Sequence, residues 1–181
     1  MRFGIPLSFF LLCFLITSPL RAQEKAVGPV IDSYGPVWDI PEADFPTDPE
    51  MEWRVVFDVM QAPEDPNAVS PWLETAARFL NLHVRAGVPK ERLHVAVVVH
   101  NRATPGLLSQ AEYQARFGTD NPNAPLLQAL MDAGVEVVLC GQSSRSRDVP
   151  IAKTLPGTRL ALSAMTAFIT YQEKGYRLIK F

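Results

Sequence analysis

The sequence predicts an α/β domain of three layers, a mostly parallel five-stranded sheet with helices on both faces. Two observations predict it. Short Val- and Leu-rich runs are apolar almost throughout, as strands buried on both faces require, whereas a sheet with one wet face would alternate. Between these runs stand amphipathic stretches with serine caps and glycine stops, so strands and helices alternate in the order that parallel crossovers need.

Each element follows from its residues. Trp53 to Val59 is a β-rich run. Ser70 is a good N-cap with Pro71 at the first helical position, and Gly87 stops that helix before Pro89. Trp72, Leu73, Ala76, Ala77, Leu80 and Val84 recur at helical spacing and give it one apolar face. Leu93 to Val99 is the second strand. Ser109 and Glu112 form a capping box for a short helix that Gly118 closes. Asn123 is the expected cap of the next helix, with Leu126, Leu127, Leu130 and Met131 on its apolar face and Gly134 as its stop. Val135 to Leu139 is the third strand, ending at Cys140-Gly141. Val149 to Leu155 reads as a short helical stretch and Arg159 to Leu162 as a brief strand. Ser163 caps a last helix carrying Met165, Phe168 and Ile169, closed by Gly175, and Tyr176 to Phe181 is the final strand.

The N-terminus has a different character. Arg2 precedes an apolar stretch from Ile5 to Leu20, which gives way to polar sequence after Ala22. That layout is a secretory signal peptide over residues 1–22, cleaved after Ala22, and it predicts a periplasmic or secreted protein. Residues 23–50 hold five prolines and several acids and read as an extended arm, with Tyr34, Trp38 and Phe45 arguing against full solvation. The arm is expected to lie on the domain or on a neighbouring subunit. The domain itself is residues 51–181.

Arg2 and Arg21 leave with the signal, so 15 Lys+Arg face 19 Asp+Glu in the remaining 159 residues. That acidic balance argues against a nucleic-acid partner and against an anionic membrane surface for the processed chain. Cys13 leaves as well, which makes Cys140 the single cysteine of the processed chain and excludes an internal disulfide. A single thiol of this kind is a buried small hydrophobe, a redox or transfer group, or an intermolecular link.

In parallel sheets, ligands bind beyond the carboxyl ends of the strands. Asp58, His100 and Cys140 fall at or just before such ends, which makes Cys140 the candidate catalytic residue. Asp58, His100, Asn101, Gly141, Gln142, Ser143 and Arg145 are the candidate binding residues around it. Gly141 permits close backbone approach, and the following Gln-Ser-Ser-Arg-Ser-Arg loop offers hydroxyls, an amide and two guanidiniums that would favour the thiolate. The plainer readings stand beside these. A cysteine at a strand end is ordinary core, an arginine-bearing loop is ordinary solvated surface, and a strand-end histidine is often neutral packing. His83 suits the last turn of its helix by favouring the dipole. Three histidines and one cysteine without close spacing make no zinc site, and no G-x-G-x-x-G, P-loop or G-x-S-x-G is present, so neither metal nor cofactor is expected.

Five segments carry a resemblance. They are Val55–Val59, Val97–His100, Asn121-Pro122-Asn123, Gly134–Gln142 and Ala161–Ala167. Together and in this order they resemble the DsrE/DsrF-like (YchN-like) family over residues 52–181, and within it the exported branch of DsrE family proteins. The resemblance implies a parallel α/β sheet, assembly into trimers or hexamers, and sulfur relay between donor and acceptor proteins through a cysteine persulfide. Cys140 holds the matching strand-end position. Some relatives carry a second cysteine shortly after it, where this chain has Ser143. Two functions are therefore expected to compete: a sulfur (persulfide) carrier or transferase acting through Cys140, and a non-catalytic oligomeric module that binds a small ligand or partner and uses the cysteine for packing.

Overall fold

The computed structural model describes Met1 and residues 24–181. The signal-peptide expectation and Cys13 lie outside these residues. Five strands form one sheet: β1 (Trp53–Val59), β2 (Leu93–Val99), β3 (Glu136–Cys140), β4 (Arg159–Ala161) and β5 (Arg177–Lys180). Their order is β4-β3-β2-β1-β5, and every neighbouring pair is parallel. The helices are α1 (Pro71–Arg85), α2 (Gln110–Phe117), α3 (Ala124–Asp132), α4 (Gly141–Ser146) and α5 (Ala164–Glu173), with 3-10 turns at Lys90–Arg92, Asn101–Leu107 and Ile151–Lys153.

Strand alternation divides the core into two. Val55, Phe57, Val59, Val95, Val97, Val99, Val137 and Leu139 face α1 and α3, while Val56, Ala96, Val98, Val138 and Cys140 face α5. Both faces are covered, which is why the central strands read as unbroken apolar runs. β1 to β4 are laid down successively toward one edge, and α5 then crosses the opposite face to bring β5 beside β1. That crossing delivers the N-terminus of α5 to the carboxyl edge of the sheet beside β3.

Three caps form with the expected serines: Ser70 Oγ accepts from Leu73 N, Ser109 Oγ from Glu112 N, and Ser163 Oγ from Thr166 N. Other expectations need correction. The capping box is half made, because the Glu112 carboxylate pairs with Lys153 and the Ser109 amide donates to Lys153 O. Asn123 has αR backbone and no side-chain cap bond, since its Oδ1 accepts from Ser70 N across the chain. Residues 141–146 are helix α4 rather than a loop, and Asn101–Leu107 is a 3-10 helix where no element was expected. On α5 the buried residues are Ala164, Ala167 and Tyr171, whereas Met165 and Ile169 are 72% and 62% exposed. His83 packs at a tilt between Trp53 and Phe79. Burial there pushes its pKa down, against the charge that a helix C-terminus would favour.

Residues of the arm lie along α1 of the same chain. Ala26 and Val37 pair as an antiparallel bridge, and the fully buried Asn81 of α1 bonds five backbone groups between Val30 and Gly35. The Arg85 guanidinium grips Asp39 through two hydrogen bonds of 2.8 and 2.6 Å.

Candidate functional site

Register and pleat bring three candidate residues to one place. Asp58 pairs with Val98, and Val99 with Leu139, so the next position along each strand sets His100 beside Cys140 at the carboxyl edge. Alternation then directs Asp58, His100 and Cys140 to the side covered by α5, the side of Val56, Val98 and Val138.

Asp58 is buried and its carboxylate has two partners. Oδ1 lies 2.7 Å from His100 Nε2, and Oδ2 lies 3.5 Å from Lys180 Nζ on the adjacent β5. A carboxylate buried at a sheet edge needs such partners, and the sheet order supplies both. An Nε2–H donated to Asp58 leaves Nδ1 as the free ring nitrogen of His100. The imidazole edge packs on Phe168 of α5, with ring centroids 6.2 Å apart. Asp58 thus orients a histidine, which is more specific than the turn-capping role that a strand-end aspartate ordinarily takes.

Cys140 is 4% exposed, and its sulfur sits among backbone donors. Ala164 N, at the start of α5, donates to Sγ at 3.2 Å. The amides of Gln142 and Ser143, in the first turn of α4, and the Ser143 hydroxyl make no capping hydrogen bond to this sulfur but act on its charge from close by. First-turn amides have no partner within their own helix, so they are free to point at the residue preceding it. Burial pushes the thiol pKa up. The Ser143 amide and hydroxyl, with the amides of Ala164 and Gln142, outweigh that, and the net shift is downward.

The neighbours lock this cradle. A Cβ on Gly141 would stand 2.6 Å from Ala161 O and 3.0 Å from Leu162 O, so only glycine lets the start of α4 lie this close to the end of β4. Gln142 Nε2 donates to Leu162 O. Ser143 Oγ accepts from Asn101 N at 2.9 Å, and Arg147 Nη2 donates to Asn101 Oδ1 at 2.6 Å. Asn101 holds the left-handed conformation, φ 51°, that asparagine tolerates better than most residues. Arg145 lies apart. It lines an open hollow with Gly141, Gln142, Asp148 and Leu162, and Cys140 is not part of that lining. The groups that converge on the sulfur are therefore amides and one hydroxyl, not guanidiniums.

Sequence reasoning missed Ala164, Lys180 and Phe168. The Ser163 cap was a usable signal for the first, because it marks where a helix exposes its free amides. No group of three or more His, Cys, Asp or Glu residues among the described ones is arranged to hold a metal ion.

A model of the DsrE/DsrF-like family matches residues 54–181. The chain belongs to this family. No curated protein matches it significantly. Two solved structures share the fold. One is a protein of unknown function, MTH1491, from Methanobacterium thermoautotrophicum, with TM-score 0.52 and 19% identity over 71% of this chain and 99% of that one. The other is the ychN protein of E. coli, with TM-score 0.51 and 15% identity over 71% and 99%. The family match begins at residue 54, so the arm on α1 lies ahead of the matched residues of this DsrE-like chain.

Proposed function

We propose that this DsrE-like protein is an exported sulfur carrier in which Cys140 accepts a sulfane sulfur and holds it as a persulfide. The observation that carries this reading is the Cys140 sulfur cradled by amides from α4 and α5, which favour the thiolate despite burial. With thiosulfate as donor, the thiolate attacks the outer sulfur, the new S–S bond forms, and sulfite leaves with the electron pair of the broken bond. The persulfide anion carries the same charge as the thiolate it replaces, so the same donors serve it. An acceptor thiolate then takes the outer sulfur and returns Cys140 to its starting state. In this reading His100, oriented by Asp58 at the same edge of the sheet, is the group that exchanges the proton of the resting thiol. Mass spectrometry after incubation with thiosulfate or polysulfide is expected to show one added sulfur on the wild type and none on Cys140→Ser. No addition to the wild type, or equal labelling of both proteins, overturns the reading.

The thiol also makes a pH prediction. Alkylation of the native protein by iodoacetamide is expected to rise with an inflection below the ordinary cysteine range, and Ser143→Ala to move that inflection upward. A pKa depressed in the folded state stabilises the fold above the unfolded pKa, and this contribution disappears as pH falls through the folded value. It is therefore an alkaline-side contribution, absent in acid. A native inflection no lower than that of the denaturant-unfolded protein contradicts the cradle.

One observation favours a second reading, a binding module with a packing cysteine: Cys140 belongs to the core cluster beneath α5. A native thiol inert to alkylation at all pH values would select it. Both readings include a homo-oligomer. Its support is the exposed apolar side chains Met165 and Ile169 on α5, with Leu162 just before it and Leu178 on the α5 side of edge strand β5. Light scattering that finds a concentration-independent monomer removes the assembly, and Met1 retained on the purified protein removes export. No helix among the described residues is long and apolar enough to cross a membrane.

A further inference from the structure

On the face of the sheet away from Cys140, the loop after β1, the start of α1, the 3-10 helix Asn101–Leu107 and α2 enclose a cavity of about 400 Å³. Its walls are mostly apolar, with Pro63, Pro66, Leu73, Pro105 and Phe117 among them. That size suits a small organic molecule. The polar groups turned to the cavity are chiefly donors. Asn123 is 4% exposed; its Oδ1 accepts from Ser70 N at 2.8 Å, which fixes the amide orientation, and its Nδ2 has no hydrogen-bond partner. That Nδ2 lies 3.4 Å from where a Gly106 Cβ would be, and Gly106 is itself part of the lining. The residue is buried, yet this atom still reaches the cavity, so water meets it in the free protein and the acceptor of a ligand can take that water's place.

Three guanidiniums share the lining. Arg116 donates to Arg147 O and Arg147 to Asn101 Oδ1, while Arg102 is exposed and makes no hydrogen bond or ion pair. Acceptors line the cavity as well, on Gln61, Glu64 and Asp65, but the two carboxylates are exposed and are outnumbered by the three guanidiniums. Tyr113 gives its hydroxyl hydrogen to Pro66 O, Asp65 Oδ1 accepts twice from Asn67, and Glu64 is exposed at the mouth. Unpaired donors over an apolar floor call for a ligand with a compact apolar body and an anionic acceptor.

We propose that this cavity binds a small organic carboxylate, its oxygens taking the Asn123 Nδ2 donor and the Arg102 guanidinium and its body lying against Pro63, Pro66 and Phe117. The Asn-Pro-Asn segment gains a role by this: Asn121 holds Gly106 O, Leu108 O and Asn123 N, and so presents Asn123 to the cavity. The site does not depend on the sulfur chemistry of Cys140.

Benzoate is the probe, titrated into the full chain with the Asn123 side-chain NH2 followed by NMR. Saturable shifts of that group at concentrations up to about 10 mM are expected. Asn123→Asp keeps an acceptor for Ser70 N but replaces the donor with a negative charge, and is expected to weaken binding at least about tenfold. Arg102→Ala, at an exposed position that makes no hydrogen bond or ion pair, is expected to weaken it several-fold and carries the test if Asn123→Asp does not fold. Benzyl alcohol should bind poorly, and Cys140→Ser should bind benzoate as the wild type does. An unmoved Asn123 NH2, or equal benzoate affinity in the wild type and Arg102→Ala, overturns the proposal.

Discussion

Replacing Asn81 with alanine is expected to release residues 26–37 from α1 and to lower stability by about 3 kcal/mol. Asn81 has no exposed surface. Its Oδ1 accepts from Val30 N and Ile31 N at 3.1 and 2.9 Å, and its Nδ2 donates to Ile31 O, Tyr34 O and Gly35 O at 3.0, 2.9 and 3.2 Å. Each bond contributes roughly 0.5–1.5 kcal/mol net, and losing all five strands buried backbone groups that cost more. The loss has a ceiling, because the segment can lift away and bond to water instead. Undocking exposes Ile31, which belongs to the core beside α1, and frees Gly35, whose φ of 68° and tight fit over Ala77 and Arg78 hold the return turn. The domain from β1 onward should stay folded. Hydrogen exchange should show loss of protection at Val30, Ile31 and Gly35, and a protease should cut ahead of Trp53. Equal protection of those amides in Asn81→Ala and wild type would show that the asparagine does not hold the arm.

Gly141→Ala should be the most damaging single-methyl change in the Cys140 cradle, at about 2–3 kcal/mol. Two effects oppose each other. Alanine is the better helix former by about 1 kcal/mol in a helix interior, and less at the first position that residue 141 occupies. Against this, the new methyl meets two backbone carbonyl oxygens, Ala161 O and Leu162 O, which cannot rotate aside as a flexible side chain could. The clash wins, and relief requires β4 or α4 to move. Either movement separates Cys140 Sγ from Ala164 N, two residues beyond Leu162, so the thiol pKa should rise together with the loss of stability. Chemical denaturation and alkylation against pH read the two effects separately. An unchanged denaturation midpoint would mean that β4 yields at no cost and that the close approach is incidental.

Much of the frame was readable along the chain because its causes are local. β1 and β2 span the residues that the apolar runs marked, and Ser70, Ser109 and Ser163 cap as serines do when the next turn offers free amides. Local signals failed where a distant group competed for the same atom. Asn123 has the right chemistry for a cap, yet Ser70 N, 53 residues away in sequence, takes its oxygen. Residues 141–146 read as loop because Gly-Gln-Ser-Ser-Arg-Ser has no apolar period. They are helical because Ser143 and Ser144 are buried, with Ser143 Oγ held by Asn101 N and Ser144 Oγ by Val149 O. Asn101–Leu107 carried Pro105 and Gly106, which mask a helical pattern.

What the sequence by itself determined is the parallel α/β class, most element positions, and Cys140 as the cysteine at a strand end. Tertiary structure decided what surrounds its sulfur. Strand order is set by which helix faces pack on which side of the sheet, a non-local choice that no run of residues encodes. Because α5 crosses from β4 to β5, Ala164 N reaches the thiol and Lys180 reaches Asp58, while the turn of α4 sets Arg145 in a hollow that Cys140 does not line.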